Sequence, residues 1–228
     1  MTARQIIDAI KDIIQDTSFT DQKVLDAVNA VIARVAGAVQ LPALASHSTV
    51  ATDGTDPLAD PPDTTIDPFV DVPSNYHRGL HFATSVAASG PLKVYRSFNR
   101  FIKQYPLLDE TGSPESVVIY GRKIYYQPTP QTPDTISLWY WAKPTSITTS
   151  AEDLAADVDV IPTEQHLSVL VHGGAAHCFK IIDEGMDAGG DTSFKKYWAL
   201  MEAGIQELSD IYGPDDDEPD YVNDDEDL

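Results

Sequence analysis

The residues best suited to chemistry in this chain are three histidines and the single cysteine, which lie close together in the sequence. His166, His172 and His177 are six and five positions apart, whereas two zinc ligands on one helix need i, i+4 spacing. His166 and His177 share a helix face but lie about 16 Å apart, which is too far for one ion. We therefore expect surface or interface histidines and no metal site, with Cys178 buried as a small apolar side chain.

The run His172-Gly173-Gly174-Ala175 is similar to the oxyanion strip of lipases, but nothing else in the sequence supports acyl transfer. The chain has no G-x-S-x-G motif, and these glycines fall inside a helical apolar stripe, where they would let another helix approach closely. Phosphate-binding loops are also missing, and the loop aspartates lack the spacing of a calcium loop, although oxygen-rich loops can bind cations incidentally. The sequence predicts no catalytic residue, no metal site and no cofactor.

Composition and charge limit the class of protein. The chain has 228 residues, of which 42% are hydrophobic and 22% charged, and this is ordinary for a globular protein. Its net charge of −21 argues against DNA binding through a broad basic face. No apolar run approaches the roughly 20 residues of a membrane span, and no signal-peptide pattern follows Met1. We expect a soluble protein of a reducing compartment, since one cysteine allows no internal disulfide.

The last sixteen residues are the most unusual segment of the chain. They contain nine acidic residues and no basic one, a composition that in a generic protein favours a disordered, solubilising extension. The alternative is an arm that binds a basic groove on a partner, with Tyr221 and Val222 as apolar anchors. The residues assigned to this acidic arm are Tyr212, Pro214, Asp215, Asp216, Asp217, Glu218, Asp220, Tyr221, Val222, Asp224 and Asp225.

Prolines divide the chain into three parts. Fourteen of the 16 prolines lie within residues 42–162, and none lies before that range or within 163–213. Because proline lacks an amide donor and blocks a helix interior, the two ends can be helical and the middle largely cannot. The prediction is an α+β protein with a helical body of about four helices (1–41 and 163–212), an inserted β-rich lobe (42–162) and an extended acidic C-terminal arm (213–228).

Capping residues and apolar spacing predict the four helices. Thr2 and Gln5 fit a capping box before the first helix, and Thr20 opens the second. The third starts near Thr163, and the fourth starts near Asp191 and ends at Gly213. Their apolar stripes are, in order, Ile6, Ile7, Ile10, Ile13 and Ile14; Val24, Leu25, Val28, Val31, Ile32, Val35 and Val39; Leu167, Leu170, Val171, Gly174, Cys178, Ile181 and Ile182; and Phe194, Trp198, Met201, Ile205, Leu208 and Tyr212.

The middle of the chain is predicted to form strands. Residues 116–120 and 123–126 are joined by Gly121-Arg122, which favours a hairpin with a type II′ turn. Other strands are expected at 66–72, 79–87, 92–95 and 134–143. The polar, proline-rich residues 45–65 are interpreted as a functional or partner-contacting loop, because they are too long for an ordinary connection.

The strand at 134–143 carries large apolar side chains on both faces. Tyr140 points to one side with its i±2 neighbours, while Trp139 and Trp141 point to the other. Both faces should therefore be covered, either by the fold or by a neighbouring subunit. The candidates for an inter-subunit or tail interface are Trp139, Tyr140, Trp141, Tyr125 and Tyr126.

Several short phrases follow the first two helices in a definite order. They are Val70-Asp71-Val72-Pro73, Gly112-Ser113-Pro114, Ile124-Tyr125-Tyr126-Gln127-Pro128-Thr129-Pro130 and Leu138-Trp139-Tyr140-Trp141-Ala142-Lys143-Pro144, before a helix over 167–176 and an aromatic-rich helix over 194–208. This order of elements resembles the head-to-tail adaptor (connector) proteins of tailed bacteriophages, over most of residues 3–212.

The resemblance implies a structural protein without catalytic residues. Proteins of that family form a ring, usually of twelve identical subunits, beneath the portal protein, and the ring seats the tail, a nozzle or the next connector. Their C-terminal segments commonly dock on the portal, so the acidic arm is expected to bind the portal or a neighbouring subunit. The implied location is the head-tail junction of the virion, reached by assembly in the host cytoplasm, with DNA passing through the channel, no sequence-specific nucleic-acid binding and no membrane.

Two other classes stay open from the residues alone. A DNA-mimic inhibitor would also be small and acidic, although the acids here cluster in one arm and in loops. An enzyme of unrecognised type would need a pocket with converging titratable groups of shifted pKa, which a sequence cannot display.

Overall fold

A computed structural model describes residues 1–52, 67–88, 90–183 and 193–213. The chain separates into two compact units. The described residues of the helical unit are 1–44, 143–183 and 193–213, and those of the β unit lie within 45–142. The predicted α+β class is confirmed, with six helices in the described residues instead of about four. Residues 143–162, which the prolines assigned to the lobe, belong to the helical unit.

Helices occupy both ends of the chain, and strands occupy most of its middle. In chain order the elements are α1 (Ala3–Ile14), α2 (Asp21–Ala38), β1 (Ala45–Ala51), β2 (Phe69–Asp71), β3 (Tyr76–Ser85), β4 (Lys93–Tyr95), α3 (Phe98–Gln104), β5 (Ser116–Tyr120), β6 (Lys123–Gln127), β7 (Thr135–Ala142), α4 (Ala151–Ala155), α5 (His172–Asp183) and α6 (Ser193–Tyr212). Short 3₁₀ turns lie at Pro42–Leu44 and Thr163–Gln165, and a π-helix spans His166–Val171 directly before α5.

The predicted starts of the first two helices are confirmed. The Gln5 amide donates to Thr2 Oγ1 over 3.2 Å, and the Thr2 amide donates to Gln5 Oε1 over 3.0 Å, which closes the capping box of α1. Thr20 Oγ1 accepts from the Lys23 amide at the start of α2. These bonds satisfy amides that the first turn of a helix leaves without partners.

Small residues at the start of α5 allow three other helices to pack against it. A Cβ on Gly173 would lie 2.8 Å from both Met201 Sδ of α6 and Val31 Cγ2 of α2. A Cβ on Gly174 would meet Ile10 of α1 at still shorter range. Real Cβ atoms do not approach other heavy atoms this closely, so α1, α2 and α6 reach α5 only because these two positions have no side chain.

The π-helix before α5 changes which side chains face the core. The sequence placed Leu167 on the buried stripe and His166 at the surface or an interface, and both expectations were wrong: Leu167 is 57% exposed and His166 is 1% exposed. The i→i+5 bonds of a π-helix widen the turn, so the residues of its first turn, His166 and Leu167, are rotated relative to the stripe of the following α-helix. Ile181, also assigned to that stripe, is exposed near the end of α5.

Two sets of hydrogen bonds hold residues 143–162 in the helical unit. Asn29 Nδ2 donates to the Ile147 carbonyl, and the Ile147 amide donates to Asn29 Oδ1, each over 2.9 Å. The Ala3 amide donates to the Ala156 carbonyl, next to an antiparallel bridge between Thr2 and Asp157. The prolines of this segment exclude long helices but not these contacts.

The β unit is a sandwich of two sheets. One sheet has the strand order β1-β7-β3 and is antiparallel, while the other has the order β2-β6-β5-β4, with a parallel pair between β4 and β5. Leu138 and Tyr140 from the first sheet and Ile124 and Tyr126 from the second lie in one buried cluster, so the sheets pack face to face. At one end of the first sheet Ala45 opens β1 opposite Trp141 near the end of β7.

The predicted hairpin is confirmed and its pairing is defined. Strands β5 and β6 pair over Ser116–Gln127, and Gly121 has a φ of 64° while Arg122 does not have a positive φ, as a type II′ turn requires. The strands predicted at 79–87 and 92–95 lie at Tyr76–Ser85 and Lys93–Tyr95. Of the strand predicted at 66–72, residues 69–71 form β2, whereas 67, 68 and 72 lie outside the strand and 66 lies outside the described residues.

Residues 45–65 are only partly a loop, which corrects the sequence interpretation. Residues 45–51 form β1, which pairs along its whole length with β7, and 53–65 lie outside the described residues. The sequence also missed α3, although Phe98, Phe101 and Tyr105 have helical spacing between two prolines. Both misses are short elements whose stability comes from the neighbours they cover.

The close approach at α5 makes a testable prediction about stability. Gly173→Ala should lower the free energy of unfolding by about 1–3 kcal/mol, because the new methyl group must displace Met201 and Val31. Gly37→Ala in α2 is the matched control, since a Cβ there meets nothing within 4 Å. Alanine at that position should be neutral or should stabilise the helix by about 0.5–1 kcal/mol. Urea unfolding of both variants measures the difference, and equal effects would contradict this account of α5.

Candidate interaction surfaces

His166 is a structural residue at the centre of the helical unit. Its Nε2 lies 2.9 Å from the Val158 carbonyl oxygen and 2.7 Å from that of Ile161, and its Nδ1 lies 3.0 Å from the Met1 amino group. Carbonyl oxygens only accept hydrogen bonds, so Nε2 carries the hydrogen and Nδ1 accepts. The ring therefore ties residues 158–161 to the π-helix, and neither nitrogen is left for a metal.

The other two histidines of this segment are half-buried against aromatic rings. His172 lies 5.7 Å from the Tyr197 ring, and His177 lies 5.8 Å from the Trp198 ring. Burial lowers the pKa of both histidines, and a nearby ammonium, from Lys196 in the first case, lowers it further. Both effects favour the neutral form of each ring.

Cys178 and the glycine run have packing roles. Cys178 is fully buried, as expected, and burial raises the pKa of its thiol to about 11, so the thiolate needed of a nucleophile is scarce at neutral pH. Gly173 and Gly174 touch side chains of three helices and form no oxyanion pocket. Within the described ranges, no three histidine, cysteine, aspartate or glutamate side chains converge as a metal site would require.

An open cleft of about 350 Å³ lies beside Asp134 in the β unit. Asp134 is its one titratable lining residue, and that carboxylate accepts hydrogen bonds from Ser85 Oγ and from the amides of Ala87 and Thr135. A carboxylate that caps backbone amides in this way stabilises the loop after β3. The cleft lacks the converging acid and base groups that catalysis needs.

The outer face of the first sheet carries two of the residues predicted as an interface. Trp139 packs between His47 of β1 and Phe82 of β3, with ring centroids 4.5 and 5.1 Å away, and Trp141 lies 5.6 Å from His81. Both tryptophans are half-buried in the described structure. We call this set, His47, His81, Phe82, Trp139 and Trp141, the tryptophan face.

Tyr140 and Tyr126, also predicted as interface residues, lie in the core of the β unit. Both are fully buried; the Tyr140 hydroxyl donates to Asn75 Oδ1 over 2.6 Å and the Tyr126 hydroxyl donates to the Asp67 carbonyl over 2.8 Å. Tyr125, on the opposite side of β6, is half-buried and packs on Phe69 and Phe98. Of the five residues predicted as an interface, Tyr125 and the two tryptophans are therefore the ones left as candidates for contacts with other chains.

The sequence missed a second surface, on the outer side of the four-stranded sheet. Tyr125 and Phe98 are the middle of a row of aromatic rings that begins at Phe69 and ends at Tyr120. Tyr120 is 58% exposed and stacks on Phe98 with ring centroids 4.4 Å apart. Lys123 Nζ lies 3.4 Å from the Phe69 ring centroid, a cation–π contact at the other end of the row.

Exposed basic side chains lie on the same elements as this row, α3 and the β5–β6 hairpin. Arg100 and Lys103 are exposed on α3, and Arg122 is exposed in the hairpin turn. No ion pair joins any of them, or Lys123, to a carboxylate of the described residues, whereas Arg4 and Arg34 of the helical unit are both paired. We call Phe69, Phe98, Tyr120 and Tyr125 together with Arg100, Lys103, Arg122 and Lys123 the aromatic–basic surface.

The acidic arm begins where α6 ends. Tyr212 is the last residue of α6 and is half-buried, and Gly213, with a φ of 87°, donates its amide to the Ser209 carbonyl. The other residues assigned to the arm, Pro214, Asp215, Asp216, Asp217, Glu218, Asp220, Tyr221, Val222, Asp224 and Asp225, lie outside the described residues. Their binding role stays a prediction.

The two surfaces with half-buried or exposed aromatic rings are suited to contacts with other chains. The comparison with known families agrees. Residues 1–221 match the family described as SU10 adaptor protein. The chain belongs to this family of phage head-to-tail adaptors. None of the curated proteins compared with the chain matches it.

The family match confirms the adaptor family that the order of the elements predicted. The family supports a structural role at the junction of phage head and tail. Among the described residues, no helix is both long and apolar enough to cross a bilayer.

The half-buried histidines predict how the stability of this adaptor changes with pH. His172 and His177 have a lower pKa in the folded protein than the ordinary value of 6.5, so the unfolded chain binds more protons as the pH falls. Their contribution to stability is complete above pH 6.5 and is lost as the pH falls from there through the lower folded values. Hydrogen bonds from Lys11 and then Arg4 hold the pKa of Asp21 below its ordinary value of 3.8. Asp21 therefore affects the pH dependence of stability only at more acidic pH.

We therefore expect a lower free energy of unfolding at about pH 5.5 than at about pH 7.5, measured by urea unfolding in each buffer. The double variant His172→Gln/His177→Gln should show a smaller difference between the two buffers. An unchanged difference would mean that these histidines do not carry the pH dependence.

Proposed function

We propose that this protein is a head-to-tail adaptor that forms a ring, with about twelve identical subunits, under the portal protein of a tailed bacteriophage. The ring extends and seals the DNA channel and seats the tail, a nozzle or the next connector. The observation that carries the proposal is the family match, because it spans 1–221 and so includes both units. The protein would act by binding alone, without catalysis or a cofactor.

The tryptophan face supports the proposed ring. A ring needs two different complementary patches on each subunit, so that every copy repeats the same contact. Half-buried tryptophans are typical of the centres of such contacts, since a partner covers apolar area at little cost in side-chain entropy. We assign the tryptophan face and Tyr125 to contacts with a neighbouring subunit or the tail.

The acidic arm begins at Tyr212, the last residue of α6. We propose that the arm docks on the portal or on a neighbouring subunit. The net charge of −21 also suits a protein that lines a DNA channel. A wall with an excess of carboxylates repels the phosphates of packaged DNA, so the DNA can move without adhering. The proposed location is the head-tail junction of the virion, reached after assembly in the host cytoplasm.

The proposal predicts a closed ring that binds portal particles. Native mass measurement and electron-microscope images of the full-length protein, with and without portal, should show one rotational symmetry and a portal-bound ring. A strict monomer that never binds portal would contradict it.

A variant test addresses the tryptophan face. Trp139→Gln/Trp141→Gln should weaken ring formation by at least about tenfold in concentration, because the central apolar contact is lost. The control Leu167→Gln removes an exposed apolar side chain from the helical unit, and it should leave ring formation unchanged. Thermal melting of the variants checks that each is folded. Equal loss in both, or none in the tryptophan variant, would exclude this face from the subunit contact.

A further inference from the structure

We propose that the outer face of α3, formed by Asn99, Arg100, Lys103 and Gln104, binds the sugar–phosphate backbone of DNA. The proposal rests on the proposed function, because the channel of a ring is where this protein would meet DNA. It goes further by naming the surface that touches the DNA, in a contact that is independent of base sequence.

The distribution of acidic residues is the first argument. The chain has 36 acidic residues among 228, or about one in six, yet none lies within residues 72–108. This stretch is the longest in the sequence without an acidic residue, and it contains five of the 15 basic residues. It includes β3, β4 and α3, so these elements are positive in a chain whose net charge is −21. Exposed cations of this stretch attract a polyanion that the rest of the chain repels.

Contacts with the four-stranded sheet fix the orientation of α3. Phe101 and Tyr105, one helical turn apart, are buried in a cluster with Val118 of β5. The Tyr105 hydroxyl lies 3.0 Å from Ser116 Oγ, and this hydrogen bond holds the end of the helix on the sheet. A helix that is anchored along one side keeps its other side towards solvent.

Arg100 and Lys103 lie on the side of α3 that faces away from the sheet. They are three positions apart, so they are neighbours on the helix surface with Cβ atoms about 5–6 Å from each other. Both side chains are exposed, and no ion pair joins either of them to a carboxylate in the described part of the chain. Two adjacent cations of this kind can each contact a phosphate of one DNA strand.

The other residues of α3 favour DNA over an acidic polypeptide. Asn99 and Gln104 complete the outer face, and both are exposed. Arginine, lysine, asparagine and glutamine are the side chains with which proteins contact the phosphates and sugars of DNA. A contact with a polypeptide needs an apolar centre, whereas Phe98 and Ile102 of α3 pack against the buried cluster beneath the helix.

Repetition of α3 around the proposed ring makes a weak contact effective. Two cations in a chain of net charge −21 hold DNA only briefly when one subunit acts alone. About twelve copies around one duplex act together, because each bound copy raises the local concentration of phosphates for the next. Such a band of cations retains the DNA without locking it, while the acidic remainder of the chain prevents adhesion elsewhere.

Binding of a fluorescent DNA duplex to the full-length protein tests the proposal. The unchanged protein should bind the duplex at low salt, and its affinity should fall as salt rises, because each phosphate contact releases counterions. The surface variant, Arg100→Glu/Lys103→Glu, should bind at least about tenfold more weakly and with a smaller dependence of affinity on salt.

The matched control is Lys195→Glu/Lys196→Glu, which makes the same change of net charge at exposed positions of α6 in the helical unit. It should bind the duplex within about threefold of the unchanged protein, because salt screens charges that lie away from the contact. Thermal melting checks that both variants are folded. Equal loss of affinity in the two variants, or no duplex binding by the unchanged protein, would overturn the proposal.

A polyglutamate peptide identifies the class of partner. If it binds more tightly than the duplex and loses the same affinity in the surface variant, the face accepts an acidic polypeptide and the proposal is wrong. Ring formation and portal binding are measured separately and should be unchanged in the surface variant. A ring that binds portal but no duplex refutes this inference and leaves the proposed function standing. Duplex binding through Arg100 and Lys103 by a protein that forms no ring confirms the surface and refutes the proposed function.

Discussion

The packing of helices against a segment without side chains is the constraint on which the helical unit depends. Gly173 and Gly174 lie where α1, α2 and α6 meet α5, and each position is filled by side chains from those helices. Because α1 and α2 come from the beginning of the chain while α5 and α6 come from its end, this contact joins the two halves of the sequence. The same residues that suggest an oxyanion strip are thus explained by volume alone, since dense packing leaves no space there for a substrate.

Hydrogen bonds from two polar side chains fix the loops that surround this apolar contact. His166 holds residues 158–161 at the start of the π-helix, and Asn29 makes two bonds to the backbone of Ile147. Buried and half-buried polar side chains of this kind are costly when their partners are missing, so they favour one arrangement of the surrounding loops over others. Together they fix residues 143–162 to helices that the sequence alone did not connect with them.

Local signals in the sequence predicted the elements that depend on local physics. Thr2 and Thr20 are caps whose bonds lie within one helical turn, and Gly121 fits a turn that needs a positive φ, so the starts of α1 and α2 and the hairpin followed directly from the residues. Strand β1 could not be predicted in this way. Its sequence, Ala-Ser-His-Ser-Thr-Val-Ala, has little apolar alternation, and it is a strand because β7 supplies its hydrogen bonds. The interaction surfaces divide similarly: tryptophans drew attention to one face, whereas the aromatic–basic surface exists only once α3 covers the sheet and brings Phe98 onto Tyr120.

The pairing of Ala45 with Trp141 affects how the chain can fold. These residues are where the inserted segment leaves and rejoins the helical sequence, and the antiparallel ladder of β1 and β7 places them side by side. Once that ladder has formed, α2 and α5 are separated by an effectively short connection, although most of the β unit lies between them in sequence. Closing a long loop costs conformational entropy that grows with its length. When the two ends of the inserted segment are already paired, most of that entropy cost is removed from the packing of the helices. Early formation of the sandwich would therefore speed the docking of the two chain ends.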